Sequence, residues 1–308
     1  MRAIVIDRFG GPEELVVRDL PEPEPRDGEI RVRVAAVAVN NVDLQTRAGN
    51  YAAYMGTFPF PMILGWDVAG IVDALGPGVA DRAIGDRVVA MSAQVFTGRG
   101  TYAERVVLPA DLCVDAPATV GGDNLATAAA LPLAAVTAIQ ALRALGLVAG
   151  QTLLVTGGTG AVGGFAVQLA ARAGVRTVAL VAARDADLAR ELGAEQVLER
   201  ADGPLAPRGL VDGVFDTAGV GASIAAVRDG GRFVSIVAGV LPHPERGIVP
   251  EAFNVAENGA DLAQASCLVD DGTLTLRVAR DLPFDAAQEA HQALAAGGLH
   301  GGKILLRP

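Results

Sequence analysis

The chain has 308 residues, 51% of them apolar, which suffices for two domains and a sizeable buried core. Its formal charge is −10 with no basic run, which excludes general nucleic-acid binding and attraction to anionic membranes. Two cysteines, Cys113 and Cys267, are too few for a disulfide framework, so a reducing, cytoplasmic setting is expected.

The opening Met1-Arg2-Ala3-Ile4-Val5-Ile6-Asp7 reads as a first strand rather than a signal peptide. Arg31–Val39 is an apolar, β-branched run after the turn Arg26-Asp27-Gly28. Ala69–Ala74 and Arg87–Met91 have the same texture, punctuated by Gly76-Pro77-Gly78 and Gly85-Asp86. A mostly antiparallel β domain is predicted here. The most apolar stretch, Ala126–Leu147, is broken by Pro132, Thr137, Gln140 and Arg143, so no run has the purity expected of a membrane span. The rhythm then alternates. Thr152–Thr156 is a buried strand, Val162–Ala173 a helix, Thr177–Val181 a strand and Asp185–Leu192 a helix, with Gly213–Asp216 and Arg232–Val237 as further strands. Such alternation predicts a doubly wound parallel sheet of α/β class. Near the end, Asp285 with Gln288 three residues on marks a helix start, Gly297-Gly298 its stop, and Lys303–Leu306 a last strand. The predicted domains are 1–118 with 272–308, and 119–271 between them.

The turn that follows Leu153-Leu154-Val155 carries the strongest chemical signal. Gly158, Gly160 and Gly163 fit G-x-G-x-x-G between a strand and a helix, with a second strand following. The first glycine permits the tight turn, the second close approach of a pyrophosphate, and the third close helix packing. Gly158, Thr159, Gly160, Ala161, Val162 and Gly163 are therefore the expected dinucleotide-binding residues, with the phosphates at the helix N-terminus. A short-chain dehydrogenase reading fails, because position 161 is alanine and the sole lysine, Lys303, has leucine four residues before it. At the end of the second strand, Val181-Ala182-Ala183-Arg184 leaves room for a 2′-phosphate that Arg184 can pair with, which points to NADPH. Asp185, one residue on, is the argument for NADH.

Further motifs give the chain a family resemblance. Asn40-Asn41-Val42-Asp43 resembles an N-P-x-D segment, and Gly65-Trp66-Asp67-Val68-Ala69-Gly70-Ile71-Val72 a G-x-E-x-A-G-x-V signature. Gly85-Asp86-Arg87-Val88, Gly100-Thr101-Tyr102-Ala103-Glu104, Leu131-Pro132-Leu133 and Gly301-Gly302-Lys303-Ile304 follow in order. Together they resemble the medium-chain dehydrogenase/reductase superfamily, in its zinc-free quinone oxidoreductase and enoyl reductase branch. The resemblance implies a GroES-like β domain and a Rossmann domain, an active site in the cleft between them, and a homodimer.

Zinc-dependent members carry Gly-His-Glu where this chain has Gly65-Trp66-Asp67, and residues 1–242 contain no histidine. Three ligands for a catalytic zinc cannot be assembled, and no metal is expected. His243, His291 and His300 read as structural or solvated residues, and both cysteines as inert.

Without zinc, the protein must position an acceptor and stabilise the charge that hydride transfer places on it. Tyr51, eleven residues after Asn40, matches the spacing at which the resemblance places a proposed acid, and a phenol with an ordinary pKa near ~10 can donate at neutral pH. It equally fits a pocket-lining residue without chemistry. Asn40 is expected near the nicotinamide ribose or the substrate oxygen, Thr137 against the nicotinamide, and Asp216 and Gly219 along the cofactor groove, although Asp216 also fits a turn cap. Tyr54, Met55, Phe58, Phe60, Met91 and Phe96 would supply an apolar acceptor pocket. The expected activity is zinc-independent, NADPH-dependent hydride transfer to a quinone or an α,β-unsaturated carbonyl. The alternatives are an enoyl-thioester reductase, with Arg47 and Arg99 meeting the carrier phosphates, and a non-catalytic NADPH-binding redox sensor.

Overall fold

The computed structural model describes residues 1–53, 55, 60–120, 122–199, 207–237 and 239–308. In chain order, β1 (Arg2–Ile6), β2 (Val16–Asp19) and the long β3 (Glu29–Val39) lead into helix α1 (Asn41–Arg47). Then come β4 (Met62–Ile63), β5 (Asp67–Leu75), β6 (Arg87–Met91), the short α2 (Gln94–Thr97), β7 (Arg105–Pro109) and β8 (Val114–Asp115). Helix α3 (Pro132–Leu145) opens an alternating series: β9 (Thr152–Thr156), α4 (Ala161–Arg172), β10 (Arg176–Val181), α5 (Ala186–Glu191), β11 (Gln196–Glu199), β12 (Val211–Asp216), β13 (Val227–Ser235) and β14 (Glu251–Ala252). Helix α6 (Gly259–Asp270), β15 (Val278–Pro283), α7 (Ala287–Ala296) and β16 (Lys303–Arg307) close the chain.

Two compact units result. The first comprises Met1–Leu133, Glu257–Asp270 and Leu276–Pro308; the second comprises Ala134–Ala256 and Asp271–Thr275. The first reaches past residue 118 because the helical turn Gly122–Ala130 packs on β3 and β5. It also takes in α6, which lies on β8 and whose Ser266 Oγ donates to the Asp115 carbonyl at 2.8 Å.

The first unit is the GroES-like, mainly antiparallel part. One sheet runs β2-β1-β4 and the other β15-β16-β3-β5-β6-β8, with β7 also on β3. The sequence of β3 explains its central place. Ile30, Val32, Val34 and Ala36 alternate into the core while Arg31 and Arg33 face outward. Ile4, Ile6, Leu64, Val72, Tyr102, Leu108, Phe284 and Leu306 complete that core. Helix α7 and β16 come from the far end of the chain, yet β16 pairs antiparallel with β3, setting Ile304 opposite Val39.

The second unit is the Rossmann-type part, a wholly parallel sheet in the order β11-β10-β9-β12-β13-β14. Its central strand β9 is apolar from Leu153 to Val155 because both faces are covered. Leu154, Val178, Leu180, Val214 and Phe233 form its core. The stretch Asn124–Leu145 is long and apolar enough to span a bilayer by length and composition, but 83% of its most apolar window is buried inside the folded chain.

Candidate active site

In the second unit, β9 ends at Thr156 and the chain turns through Gly157 (φ +62°) into α4. Sterics demand glycine here. A Cβ on Gly158 would lie 2.7 Å from the Ala179 Cβ, and one on Gly163 would lie 2.2 Å from the Gly157 carbonyl oxygen. The Gly160 N–H donates to the Gly157 carbonyl at 2.7 Å, which tightens the turn. Gly160 is the N-cap of α4 and offers no side-chain cap, so the N–H groups of Ala161, Val162 and Gly163 face the helix end without intrahelical acceptors. The helix dipole adds to these donors, and the turn is built to receive an anion such as a pyrophosphate.

Of the two sequence readings of Asp216, groove lining and turn cap, its contacts are those of the turn cap. Its carboxylate is fully buried: Oδ1 accepts from Thr156 Oγ1 at 2.5 Å and from the Val220 N–H at 2.9 Å, and Oδ2 from Ser235 Oγ at 3.0 Å. Asp216 holds the turn after β12 closed, and Gly219 (φ +72°) supplies the left-handed backbone of that turn. At the end of β10, Arg184 is exposed and makes no ion pair among the described residues, whereas Asp185 is buried.

In the first unit, Asn40 caps α1 in extended geometry. Its side-chain amide is committed at both ends. Nδ2 donates to the Ala38 carbonyl at 3.1 Å and to Asp67 Oδ2 at 2.9 Å, and Oδ1 accepts from Lys303 Nζ. The Lys303 ammonium also pairs with Asp67 Oδ2 at 3.0 Å, and Asp67 Oδ1 accepts the Leu133 N–H at 2.7 Å. All three side chains are buried, so the ion pair acts at low dielectric and both charges are compensated. Asn40 therefore has no N–H to spare for a substrate oxygen.

A second buried chain of hydrogen bonds starts beside it. Arg47 can only donate, so its bond to His291 (2.9 Å) fixes Nδ1 as the acceptor and leaves the imidazole proton on Nε2. Nε2 then donates to the Tyr102 oxygen at 3.3 Å. The Tyr102 hydroxyl donates to Asp43 Oδ2 at 3.0 Å, and the same oxygen accepts the Asn40 backbone N–H at 2.8 Å. Burial dominates the acidities. It pushes the Asp43 carboxyl up to about 7, against the hydrogen bonds from Asn40 and Tyr102. Burial, reinforced by the Arg47 charge, pushes His291 down to about 3. Burial followed by the Asp43 charge also raises the Tyr102 phenol.

Comparison with known proteins places these features. The family model described as the alcohol dehydrogenase GroES-like domain matches residues 26–118, and that described as zinc-binding dehydrogenase matches 192–306. The NADPH-dependent alkenal/one oxidoreductase of Arabidopsis thaliana chloroplasts is 30% identical, in an alignment covering 100% of this chain and 80% of the relative. The chain belongs to the medium-chain dehydrogenase/reductase superfamily. Two solved structures of the superfamily match it over its full length. The quinone oxidoreductase of Coxiella burnetii superposes with a TM-score of 0.88 at 27% identity and 99% coverage of that chain. Mycobacterial Rv1454c, solved with NADPH, gives 0.83 at 28% identity and 100% coverage.

The superfamily's N-x-x-D segment is thus the α1 cap and its terminal G-K-I strand the source of Lys303. Of the other predicted residues, Tyr51 is half-buried in the turn after α1, which also supplies Asn40 and Asp43. Thr137 is buried in α3 and Met91 at the end of β6. Phe96 is exposed on α2, and Phe60 packs edge-on against Phe9 at 5.2 Å. Tyr54 and Phe58 lie outside the described residues. Arg47 is not available to a carrier phosphate: it is buried and holds His291 and the Gly10 carbonyl. Arg99 pairs with Glu29 at 3.3 Å.

Sequence reasoning named Tyr102 only within a motif, Lys303 as the sole lysine and a motif residue, and His291 as structural or solvated, and assigned none of them to a buried polar cluster. The available signal was that the sole lysine, and a histidine at an inward helix position, stand in a mostly apolar setting.

Proposed function

We propose that this superfamily member is a zinc-independent, NADPH-dependent reductase of quinones or α,β-unsaturated carbonyl compounds. The observation that carries the reading is the glycine turn, where side chains are excluded at Gly158 and Gly163 and the uncapped N-terminus of α4 offers N–H groups to a pyrophosphate. Arg184 supports the phosphorylated cofactor, since it is exposed and unpaired among the described residues, while the competing acid Asp185 is turned inward. The names of the similar proteins support the same acceptors and cofactor.

The donor set does not fit a catalytic zinc. Among the described residues no group of three or more His, Cys, Asp and Glu is placed to hold a metal. Trp66 stands where zinc enzymes have histidine, and both oxygens of Asp67 are already occupied. No step is therefore drawn through a metal.

When bound, NADPH supplies a hydride to an electron-poor carbon of the acceptor. The turn residues Gly158 to Gly163 hold its pyrophosphate, and Arg184 pairs with the 2′-phosphate. Asn40 is held rigid by Lys303 and Asp67 within the first unit. Tyr51, or water, returns the proton that the reduced acceptor requires.

An NADPH-oxidation screen across ortho- and para-quinones, α,β-unsaturated ketones and enoyl thioesters, with NADH alongside, tests the reading. Turnover of quinones or enones with a preference for NADPH is expected. Turnover restricted to enoyl thioesters would replace it, and tight NADPH binding without any turnover would favour a sensor. In Tyr51→Phe, kcat falls if the phenol is the proton source and is unchanged if water is.

A further inference from the structure

Among the described residues Arg47 is the only buried arginine, 8% exposed. It forms no ion pair among them; its side-chain partners, the Gly10 carbonyl and His291 Nδ1, are neutral. A guanidinium taken from water without a carboxylate weakens a fold, and an apolar side chain of similar size would avoid that cost. What the guanidinium adds is direction, because its donors lie in one rigid plane.

Arg47 is the last residue of α1, a helix of seven residues that is too short to hold itself. It makes a reciprocal pair with the loop after β1: the Gly10 N–H donates to the Arg47 carbonyl at 2.9 Å, and Arg47 Nε donates to the Gly10 carbonyl at 3.2 Å. Nη1 reaches His291 on α7 at 2.9 Å. The turn that carries Tyr51 hangs from this point. The Gly49 N–H bonds the Thr46 carbonyl and the Asn50 N–H the Gln45 carbonyl, both at 3.0 Å, and the Ala52 N–H bonds the Gly49 carbonyl at 3.1 Å. The turn also rests on the same loop after β1. Gly49 has a φ of +83°, and a Cβ there would lie 3.0 Å from the Phe9 ring. Arg47 and Gly49 thus seat the two ends of one short link on Gly10 and Phe9, and Tyr51 leaves that link two residues later.

We propose that Arg47 is a positioning residue for Tyr51: its clamp on Gly10 and His291 fixes the turn so that the phenol meets the reduced acceptor in one orientation. This rests on the reductase reading above, with Tyr51 rather than water as the proton source. In that step the enolate left by hydride transfer takes the Tyr51 hydroxyl proton, the bonding pair stays on the phenol oxygen, and water restores the proton. Arg47 acts through the backbone of the turn. A misplacement of about 1 Å in a reacting group can cost about a hundredfold in rate, so a rigid seat four residues away matters to the chemistry.

A double-mutant cycle on the full-length protein, with 2-cyclohexen-1-one and saturating NADPH, tests the role. Arg47→Met is expected to lower kcat about ten- to a hundredfold while the NADPH Kd stays within about twofold. Added to Tyr51→Phe, the same substitution should change kcat less than about twofold, because the group it places is gone; a merely structural loss would lower both backgrounds alike. Should Arg47→Met fail to fold, Arg47→Lys, which keeps the charge without the planar fork, runs the same cycle. A second readout needs no turnover. Labelling with 3-fluorotyrosine marks Tyr51, Tyr54 and Tyr102, the only tyrosines, and the Tyr51 signal is the one lost in Tyr51→Phe. That fluorine resonance should shift and broaden in Arg47→Met. An equal fall of kcat in both backgrounds, or an unchanged kcat in Tyr51→Phe alone, would overturn the positioning role and leave the reductase reading intact. If the wild-type chain turns over no acceptor, the reductase reading fails and the fluorine spectra decide: a moved Tyr51 resonance supports the seat, and an unmoved one overturns it.

Discussion

On the proposed reading a single residue sets the cofactor preference, and another holds part of the first unit rigid. Arg184 stands exposed just after β10 and forms no ion pair among the described residues, so a 2′-phosphate would be its first strong partner. Charge-assisted hydrogen bonds contribute roughly 1.5–3 kcal/mol. Arg184→Ala should therefore raise the KM for NADPH about ten- to a hundredfold and leave that for NADH nearly unchanged, which steady-state kinetics with both cofactors will show. Lys303 is the converse case, a charge with no solvent. Lys303→Met leaves the Asp67 carboxylate buried and the Asn40 carbonyl without its donor, so a loss of about 3–5 kcal/mol is expected in urea unfolding. Asp67→Asn in the same chain should recover part of it, because the orphaned charge is then gone. The sequence told of Lys303 that it is the sole lysine and belongs to a terminal motif, but not that it is buried. Its burial depends on β16 returning to pair with β3, a contact across more than two hundred and sixty positions that no local pattern encodes.

At the scale of elements, the bonds from Arg47 through His291 and Tyr102 to Asp43 tie α1 to α7 and to the segment before β7. The two titrating ends act in opposite senses. Asp43 keeps its proton in the folded chain up to about pH 7 but loses it near 3.8 when unfolded, so its contribution to stability falls as the pH rises through that window. His291 stays neutral in the folded chain down to about pH 3 but takes a proton near 6.5 when unfolded, so its contribution rises over that interval. Where the windows overlap, the folded chain holds one proton on Asp43 and the unfolded chain one on His291. The two slopes cancel. Unfolding free energy of His291→Asn should decline from pH 4 to pH 7, and that of Asp43→Asn should climb from pH 3 to pH 6.5. Each slope should approach about 1.4 kcal/mol per pH unit, measured by urea titration in a pH series. Parallel pH profiles in the two variants would show that the buried chain does not set them.

For the whole molecule, much of the architecture was legible in the sequence. The change from period-two, turn-rich texture to strand–helix alternation, and the return of strands at the end, pointed to a discontinuous β unit around an α/β one, whereas the two compact units are each made of more than one segment. Glycines with obligatory geometry, such as Gly163, marked the tight turn between β9 and α4 because their constraint is local. The unit boundary was less legible, since Gly122–Ala130 and α6 join the first unit through packing on distant strands rather than by composition. The buried polar clusters were illegible for the same reason. Asn40, Asp67 and Lys303 become partners only through the register of three strands, and Gln94 looks like an ordinary surface residue until its burial is seen.

The burial of Lys303 has a chemical consequence for a protein proposed to handle electrophiles. Conjugated alkenals and enones alkylate proteins at amines, thiols and imidazoles, so a reductase of such compounds is exposed to attack by its own substrates. Here the sole lysine is sheltered and ion-paired, Cys113 is enclosed with its thiol pushed up to about 12 by burial, and His291 is sealed in the core. The nucleophilic side chains left on the surface are Cys267, His243 and His300. Prolonged incubation with excess enone should add first to Cys267, as read by peptide mass spectrometry, while Lys303 and Cys113 remain unmodified until the protein is unfolded. The fold thereby gives the protein a measure of immunity to the compounds it is proposed to reduce.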